Sequence, residues 1–269
     1  MDWFDTNYYH TLYKHRDSIE AKKFIDILIK HLNIRKGLKV LDLACGAGRH
    51  SKYLEKLGFK VTGIDRSINN IKKASKYKSS NLKFFKKEMT DDFEESFDIV
   101  LNLFTSFGYE NEDYNLKTIK NISKNLKKGG ILVIDYLNYY LAEKNLVNRE
   151  IKYIEGLKFN IERYSDDKYI SKKISVDDKD SNVYYEKIMK IDIEDFNSYC
   201  NKNNLKISKI YGNYNLDEFD INTSERLIMI IKKSQPWRLG FEGGSDILSH
   251  QNGSTICAAG LNFSVRNGK

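Results

Sequence analysis

Two hydrophobic patterns alternate along the first half of the chain. Short, continuously apolar runs of the kind found in buried strands lie between segments whose apolar positions recur at helical spacing. The predicted strands are 38–43, 60–65, 82–85, 97–103 and 131–136, and the predicted helices are 17–32, 51–57, 67–77 and 112–126. Because parallel strands need crossover connections of this type, the alternation predicts a doubly wound, mostly parallel, Rossmann-like α/β sheet.

The pattern changes after residue 138 to an alternation of apolar and polar positions at period two. Segments 151–164, 169–176 and 183–191 show it, and acidic turns separate them. This predicts an antiparallel sheet with one solvated face, inserted at 138–191 and lying over the edge of the main domain. A helix from Asp192 and strands at 205–211 and 226–233 then complete a seven-stranded main sheet, so the main domain comprises 1–137 and 192–233.

The last segment, 234–269, differs in character from the rest. It contains the only proline, Pro236, it is rich in glycine and almost free of lysine, and no apolar period continues through it. We therefore interpret it as a flexible or non-native tail and exclude it from the predicted fold.

The composition favours a folded protein and argues against a membrane protein, a metal site and specific nucleic-acid binding. A hydrophobic content of 41% supports a folded core, and the three cysteines lack metal-type spacing. With no apolar membrane span and no signal-peptide pattern, we expect a reduced, cytoplasmic protein without a metal site. The net charge of +8 comes from lysines spread along the whole chain. Without an Arg-rich run, this does not indicate specific binding to nucleic acid or membranes.

The candidate chemistry begins where the first strand ends, at Asp42 and the glycines Gly46 and Gly48. Glycines at this position let the backbone turn tightly and approach a ligand. Asp65 ends the next strand, where a carboxylate can accept both hydroxyls of a ribose. Ser51 stands where a dinucleotide-binding loop has its third glycine, and no P-loop follows, so a dehydrogenase and a nucleoside triphosphate site are both disfavoured.

These segments resemble class I S-adenosylmethionine-dependent methyltransferases, and roughly residues 1–233 resemble a bacterial small-molecule-type branch of that superfamily whose substrates are largely unassigned. The segments that carry the resemblance are VLDLACGAGRHS at 40–51, VTGID at 61–65, Glu88-Met89, 97–109, 127–135, and, for the branch, 8–21, 211–214 and 224–228.

The resemblance implies S-adenosyl-L-methionine as cofactor and a set of residues that bind it. Gly46 and Gly48 would approach its methionine part and ribose. Asp42 would meet its amino group, Asp65 its ribose hydroxyls, and Arg16 its carboxylate.

For the adenine and sulfonium the resemblance implies further contacts. Arg66, Glu88 and Met89 would border the adenine, while Asn102 and Leu103 would lie beside the sulfonium. Ala44, in the same loop as the glycines, completes the predicted cofactor site. Met89 could equally fill the core.

Candidates for catalysis are His15, Tyr9 and Tyr109, with His15 the best-placed imidazole for a base. The alternatives remain open: Tyr9 as part of an N-terminal clamp and Tyr109 as a core aromatic or pocket wall. We expect His50 to face solvent or to cap its helix. Since the sequence shows no compelling base, an amine acceptor is favoured over a hydroxyl.

The expected activity is methyl transfer to a small-molecule acceptor through nitrogen or oxygen, for example an amino sugar or a peptide terminus. The alternatives are an RNA or protein methyltransferase that uses the basic surface, and a non-catalytic protein that retains the cofactor site. The oligomeric state is not predicted.

Overall fold

The computed structural model describes residues 3–178 and 182–234, which fall in one compact unit. The helices are α1 (Asn7–Leu12), α2 (Ser18–Leu32), α3 (Arg49–Lys56), α4 (Ile68–Ala74), α5 (Glu112–Asn125), α6 (Tyr139–Lys144) and α7 (Ile193–Asn201). The strands are β1 (Lys39–Leu43), β2 (Lys60–Asp65), β3 (Leu82–Lys86), β4 (Phe97–Asn102), β5 (Leu126–Leu137), β6 (Arg149–Ile154), β7 (Leu157–Ser165), β8 (Tyr169–Asp177), β9 (Val183–Met189), β10 (Leu205–Tyr211) and β11 (Arg226–Lys233).

The main sheet has seven strands in the order β10-β11-β5-β4-β1-β2-β3. Strands β1 to β5 pair in parallel, whereas β11 runs antiparallel to both β5 and β10. This confirms the predicted α/β fold with a mostly parallel seven-stranded sheet. In a parallel sheet the carboxyl ends of β1, β2 and β4 share one edge, and ligands bind outside that edge.

Helices cover both faces of the main sheet, which explains the continuously apolar strands. Neighbouring residues of one strand belong to different cores: Val40 packs in the cluster with Phe24 of α2, while Leu41 packs in the cluster with Ile119 of α5. Both residues are fully buried. A strand covered on two sides has no polar face, so its sequence loses the alternation of period two.

A second sheet, here called the small sheet, has the antiparallel order β6-β7-β8-β9. The inserted antiparallel sheet is therefore confirmed. Its inner face packs against the N-terminal segment: Trp3 and Leu12 share a core with Phe159, Ile161 and Ile174.

The structure corrects several element predictions. Segment 151–164 is two strands rather than one, because Glu155 and Gly156 adopt positive φ values of 54° and 79° and form a tight turn. Strand β5 begins at Leu126 instead of 131, with an irregular register to β4. The short helices α1 and α6 were not predicted. The predicted domain boundaries stay a prediction, and residues 235–269 of the predicted tail lie outside the described part.

None of the described helices combines the length and apolar character needed to cross a membrane.

Candidate functional site

A cavity of about 690 Å³ opens at the carboxyl edge of the main sheet. Its walls come from three parts of the chain: the ends of β1, β2 and β4, the inner face of the small sheet, and the N-terminal segment. Lining residues from these parts include Asp42, Asp65 and Leu103, then Arg163, Lys172 and Glu186, then Phe4, Tyr9 and Arg16. This volume lies in the range of about 300–1,000 Å³ that is typical of small-molecule sites.

The loop between β1 and α3 turns through three left-handed residues, Ala44, Gly46 and Gly48. A Cβ on Gly46 would meet no atom within 4 Å, so the backbone there faces open space, and both Ala44 and Gly46 line the cavity. A Cβ on Gly48 would lie 2.9 Å from the Phe84 ring. Gly48 is buried against β3 and does not line the cavity, so its predicted contact with the cofactor gains no support from the structure.

The Asp65 carboxylate at the end of β2 lines the cavity and orders the loop beside it. One oxygen accepts a hydrogen bond from the Gly46 amide (2.9 Å), and the other accepts from the Ser67 amide (2.8 Å) and from Asn70 (3.3 Å). Burial raises the pKa of Asp65, although these donors oppose the rise. The backbone amides of Gly46 and Ser67 thus fix the position of the Asp65 carboxylate, which is the predicted contact for the ribose hydroxyls.

Asp42 is more deeply buried than Asp65, with 2% of its surface exposed. The Ser51 hydroxyl donates to its carboxylate at 2.5 Å. Burial raises the pKa of Asp42 to about 6, and the nearby Asp65 charge adds to the rise. A cationic group in the cavity would stabilise the ionised form, so the position fits the amino group predicted from the sequence.

Three residues line the region predicted for adenine: Arg66, Glu88 and Met89. Arg66 forms an ion pair with Glu110 at 2.7 Å, and Tyr114 donates to Glu88 at 2.8 Å. Both carboxylates therefore already have a partner within the protein.

Leu103 lines the cavity, but its neighbour Asn102 does not. Asn102 is fully buried, and its amide nitrogen donates to the Leu43 carbonyl at 3.3 Å. The predicted contact of Asn102 with the sulfonium therefore gains no support from the cavity lining and stays a prediction. The Asn102 amide links β4 to β1 and also donates to Met89 Sδ at 3.3 Å.

Arg16 lies on the cavity wall, and so does Arg49 at the start of α3, which was not predicted from the sequence. Arg49 forms an ion pair with Glu20 at 3.4 Å. The sequence does offer an indication of this role, because Arg49 directly follows Gly48 at the edge where a ligand is predicted to bind.

The expectation for His50 was wrong. Its side chain is 5% exposed, it lines the cavity, and its ring lies 5.2 Å from that of Phe104. Burial lowers the pKa of His50 to about 3, and the Arg49 charge contributes. A neutral imidazole therefore belongs to the cavity wall at neutral pH.

Of the three catalytic candidates, Tyr9 and Tyr109 line the cavity and His15 does not. His15 is exposed, so its position gives no support to a base role. Burial raises the pKa of both Tyr9 and Tyr109. These phenols stay protonated at neutral pH and can hold a ligand by hydrogen bonds; a catalytic role for them stays a prediction.

On the small sheet, Glu186 of β9 lies at the centre of a buried polar cluster. It accepts hydrogen bonds from Trp3 Nε1 (2.6 Å), Tyr13 (2.8 Å) and the Lys172 ammonium (2.9 Å). Burial alone would raise the pKa of Glu186, but Lys172 and the donated bonds bring it below its usual range. This cluster was not predicted from the sequence, although Lys172 and Glu186 are cross-strand partners at alternating polar positions.

A second ion pair on the same face joins Arg163 to Glu150 at 2.5 Å. Both residues line the cavity, next to the aliphatic side chains of Leu137, Val147, Ile170 and Ile188. Within residues 3–178 and 182–234, no group of three or more His, Cys, Asp or Glu side chains is arranged to hold a metal ion.

Comparisons with known proteins agree with this architecture. The chain matches the methyltransferase domain family over residues 34–199. It is 32% identical over 148 residues to a ubiquinone biosynthesis O-methyltransferase from Pelagibacter ubique (strain HTCC1062), covering 51% of this chain and 60% of that protein. It is also 32% identical over 133 residues to a glycine/sarcosine N-methyltransferase from Aphanothece halophytica, covering 47% of this chain and 49% of that one. The chain thus spans about half the length of these curated relatives.

Among solved structures, an S-adenosylmethionine-dependent methyltransferase from Clostridium acetobutylicum ATCC 824 superposes with a TM-score of 0.72 at 22% identity, covering 84% of this chain and 96% of that one. The donor set fits this cofactor: two buried carboxylates suited to a ribose and an amino group, an open Gly46 backbone, and two arginines suited to a carboxylate. The chain therefore belongs to the methyltransferase domain family, within the class I methyltransferases that use S-adenosylmethionine as cofactor.

Proposed function

We propose that this enzyme transfers the methyl group of S-adenosylmethionine to a small-molecule acceptor bound against the inner face of the small sheet. The observation that carries the proposal is the continuity of one cavity from the ends of β1 and β2 to Lys172 and Glu186. We call one wall of the cavity the cofactor half; it is formed by Asp42, Gly46, Asp65, Arg16 and Arg49. We call the facing wall the acceptor half; it is formed by Glu150, Arg163, Lys172 and Glu186.

The cofactor supplies a methyl group activated by the positive charge on sulfur. The residues of the protein must then orient the acceptor and exclude water. Orientation alone lowers the barrier by up to about 7–11 kcal/mol in well-aligned systems. Trp3 and Tyr13 bridge from the N-terminal segment to Glu186, and this contact covers the acceptor half.

An amine fits the acceptor half better than an alcohol does. An alcohol needs a base, whereas a neutral amine attacks with its own lone pair. Glu186 is saturated by three donors, which lowers its pKa and weakens it as a base. Tyr9 lines the cavity, and its hydroxyl feels the charges of Glu186 from the acceptor half and of Arg16, Arg49 and Asp65 from the cofactor half. Its neutral hydroxyl would accept a hydrogen bond from the acceptor amine.

Names of relatives support a small acceptor without choosing the atom. One relative is an O-methyltransferase of ubiquinone biosynthesis, and another is an N-methyltransferase of glycine and sarcosine. The alternatives of an RNA or protein substrate and of a non-catalytic protein remain to be separated by experiment.

A fractionated extract tests the proposal. The protein is incubated with methyl-labelled S-adenosylmethionine and with metabolite, RNA or protein fractions. Label in the metabolite fraction, with little effect of salt, is the expected result. Label in RNA that falls steeply as salt rises would favour the nucleic-acid alternative, and label in protein would favour a protein substrate. Cofactor binding without transfer to any fraction would favour the non-catalytic alternative.

A further inference from the structure

Two consecutive residues after β4, Phe104 and Thr105, have left-handed backbone conformations with φ values of 59° and 55°. This region is unfavourable for a bulky or β-branched residue. Such residues cost about 1–3 kcal/mol each and persist only where the surroundings hold them. The strained turn lies on the cavity wall, because both side chains line it.

Three residues hold the turn in place: Asp135, Tyr214 and Arg226. We call these three residues the Asp135 clasp. The fully buried Asp135 carboxylate accepts from the Phe104 amide (2.8 Å), from Tyr214 (3.1 Å) and from Arg226 (2.8 Å). Its backbone carbonyl accepts from the Thr105 amide at 2.9 Å, and Arg226 also donates to the Thr105 hydroxyl at 2.7 Å. The clasp therefore engages both backbone amides of the turn and the Thr105 hydroxyl.

The turn places the Phe104 ring in contact with two aromatic rings and two guanidinium groups. The Tyr214 ring lies 5.3 Å away and the His50 ring 5.2 Å away. The guanidinium carbons of Arg49 and Arg16 lie 4.0 and 5.4 Å from the ring centre. One aromatic ring thus contacts two arginines that come from α3 and from the segment before α2.

Two guanidinium groups on one ring repel each other unless an anion lies between them. Burial lowers the pKa of Arg49, Glu20 opposes this, and the Arg16 charge lowers it further. Among the described residues, no carboxylate forms an ion pair with Arg16, and Glu20 reaches Arg49 only at 3.4 Å. The pair is therefore suited to a carboxylate supplied by a ligand, which a guanidinium binds well.

We propose that Phe104, held by the Asp135 clasp, sets the separation of Arg16 and Arg49 so that both arginines bind the carboxylate of S-adenosylmethionine. Arg49 is then a second binding residue for the carboxylate. Phe104, Asp135 and Arg226 are positioning residues, which act on the cofactor through the arginines.

Paired ligands test the proposal by titration calorimetry: S-adenosylmethionine and its decarboxylated form, which differ only in the carboxylate. Arg49→Gln and Phe104→Leu should each weaken S-adenosylmethionine binding about tenfold or more and change binding of the decarboxylated form less than about twofold. Because Arg49 is partly exposed on the surface of α3, Arg49→Gln should fold normally.

Matched controls separate positioning from packing. Lys52→Gln removes a cation of the same helix that lies on a different ring, that of Tyr77. Phe107→Leu removes a core aromatic of the same segment, packed on Phe196 outside the cavity. Both should leave the ratio of the two affinities unchanged, even where Phe107→Leu lowers the melting temperature.

The clasp is tested with Arg226→Lys, which keeps the charge and loses the forked donor. It should lower the affinity ratio toward that of Arg49→Gln. Equal weakening of both ligands by Arg226→Lys and Phe104→Leu would overturn the positioning role, and an unchanged ratio in Arg49→Gln would overturn the second carboxylate contact.

Discussion

The two halves of the cavity use charge in opposite ways. In the acceptor half each charge has a partner inside the protein: Lys172 with Glu186, and Arg163 with Glu150. In the cofactor half, Arg16 and Asp42 face the cavity with no opposite charge from a described residue in an ion pair. The charges of the cofactor half are therefore suited to bind a zwitterionic ligand, whereas the charges of the acceptor half pair with each other and stabilise the fold.

It follows that substitutions in the two halves should have different effects. Removing a charge from the acceptor half should mainly cost stability, because its partner is left buried and alone. Removing a charge from the cofactor half should mainly cost binding and should leave stability unchanged or improved. Four substitutions test this contrast, in order of decreasing expected effect.

Glu186→Ala should lower the free energy of unfolding by about 3–5 kcal/mol, since it leaves Lys172 and two further donors without their acceptor. Urea unfolding measures this. Glu162→Ala is the control, because Glu162 and Lys173 form an exposed pair on the same sheet. Unchanged stability in Glu186→Ala would contradict a structural role for the cluster.

Asp42→Asn should raise the free energy of unfolding at neutral pH by up to about 3 kcal/mol, and weaken cofactor binding. The folded pKa of Asp42, about 6, exceeds its usual 3.8, and each pKa unit corresponds to about 1.4 kcal/mol. Between these values the folded state binds a proton that the unfolded state has lost. This group therefore lowers stability as the pH rises from about 4 to about 6.

Urea unfolding of the parent and of Asp42→Asn across pH 4–8 isolates that contribution. The gap in stability between the two proteins should open over this window and stay constant above it. A gap independent of pH would show that the carboxylate of Asp42 ionises normally in the folded protein.

Asp65→Asn should weaken S-adenosylhomocysteine binding about 10–100-fold while the protein remains folded, because an amide cannot accept from both ribose hydroxyls as a carboxylate does. Calorimetric titration measures it. Asp98→Asn is the control: Asp98 accepts from the Lys39 amide at the opposite edge of the main sheet. Equal affinity in both variants would refute the ribose contact.

Arg66→Gln should have the smallest effect, about 1 kcal/mol or less on stability, because its pair with Glu110 is partly exposed. Thermal unfolding and cofactor titration check it together. A loss of cofactor affinity beyond about tenfold would extend the cofactor half to the adenine end.

The main sheet and the positions of Asp42, Gly46 and Asp65 at its edge follow from local sequence patterns. These predictions succeed because buried parallel strands leave a continuous apolar pattern, and because the ends of such strands meet at one edge. The strand bounds of β2, β10 and β11 are those predicted. Local sequence patterns suffice where a residue's environment depends on its own strand.

Which polar residues meet at the cavity depends on how distant segments pack, and no local pattern predicts it. Trp3 and Glu186 are 183 positions apart, and Arg226 reaches Thr105 across 121. Alternation at period two shows that Lys172 and Glu186 share a face of the small sheet, but not whether the N-terminal segment covers that face. His50 likewise gives no local sign of burial, since its pKa and its place on Phe104 depend on packing between distant segments.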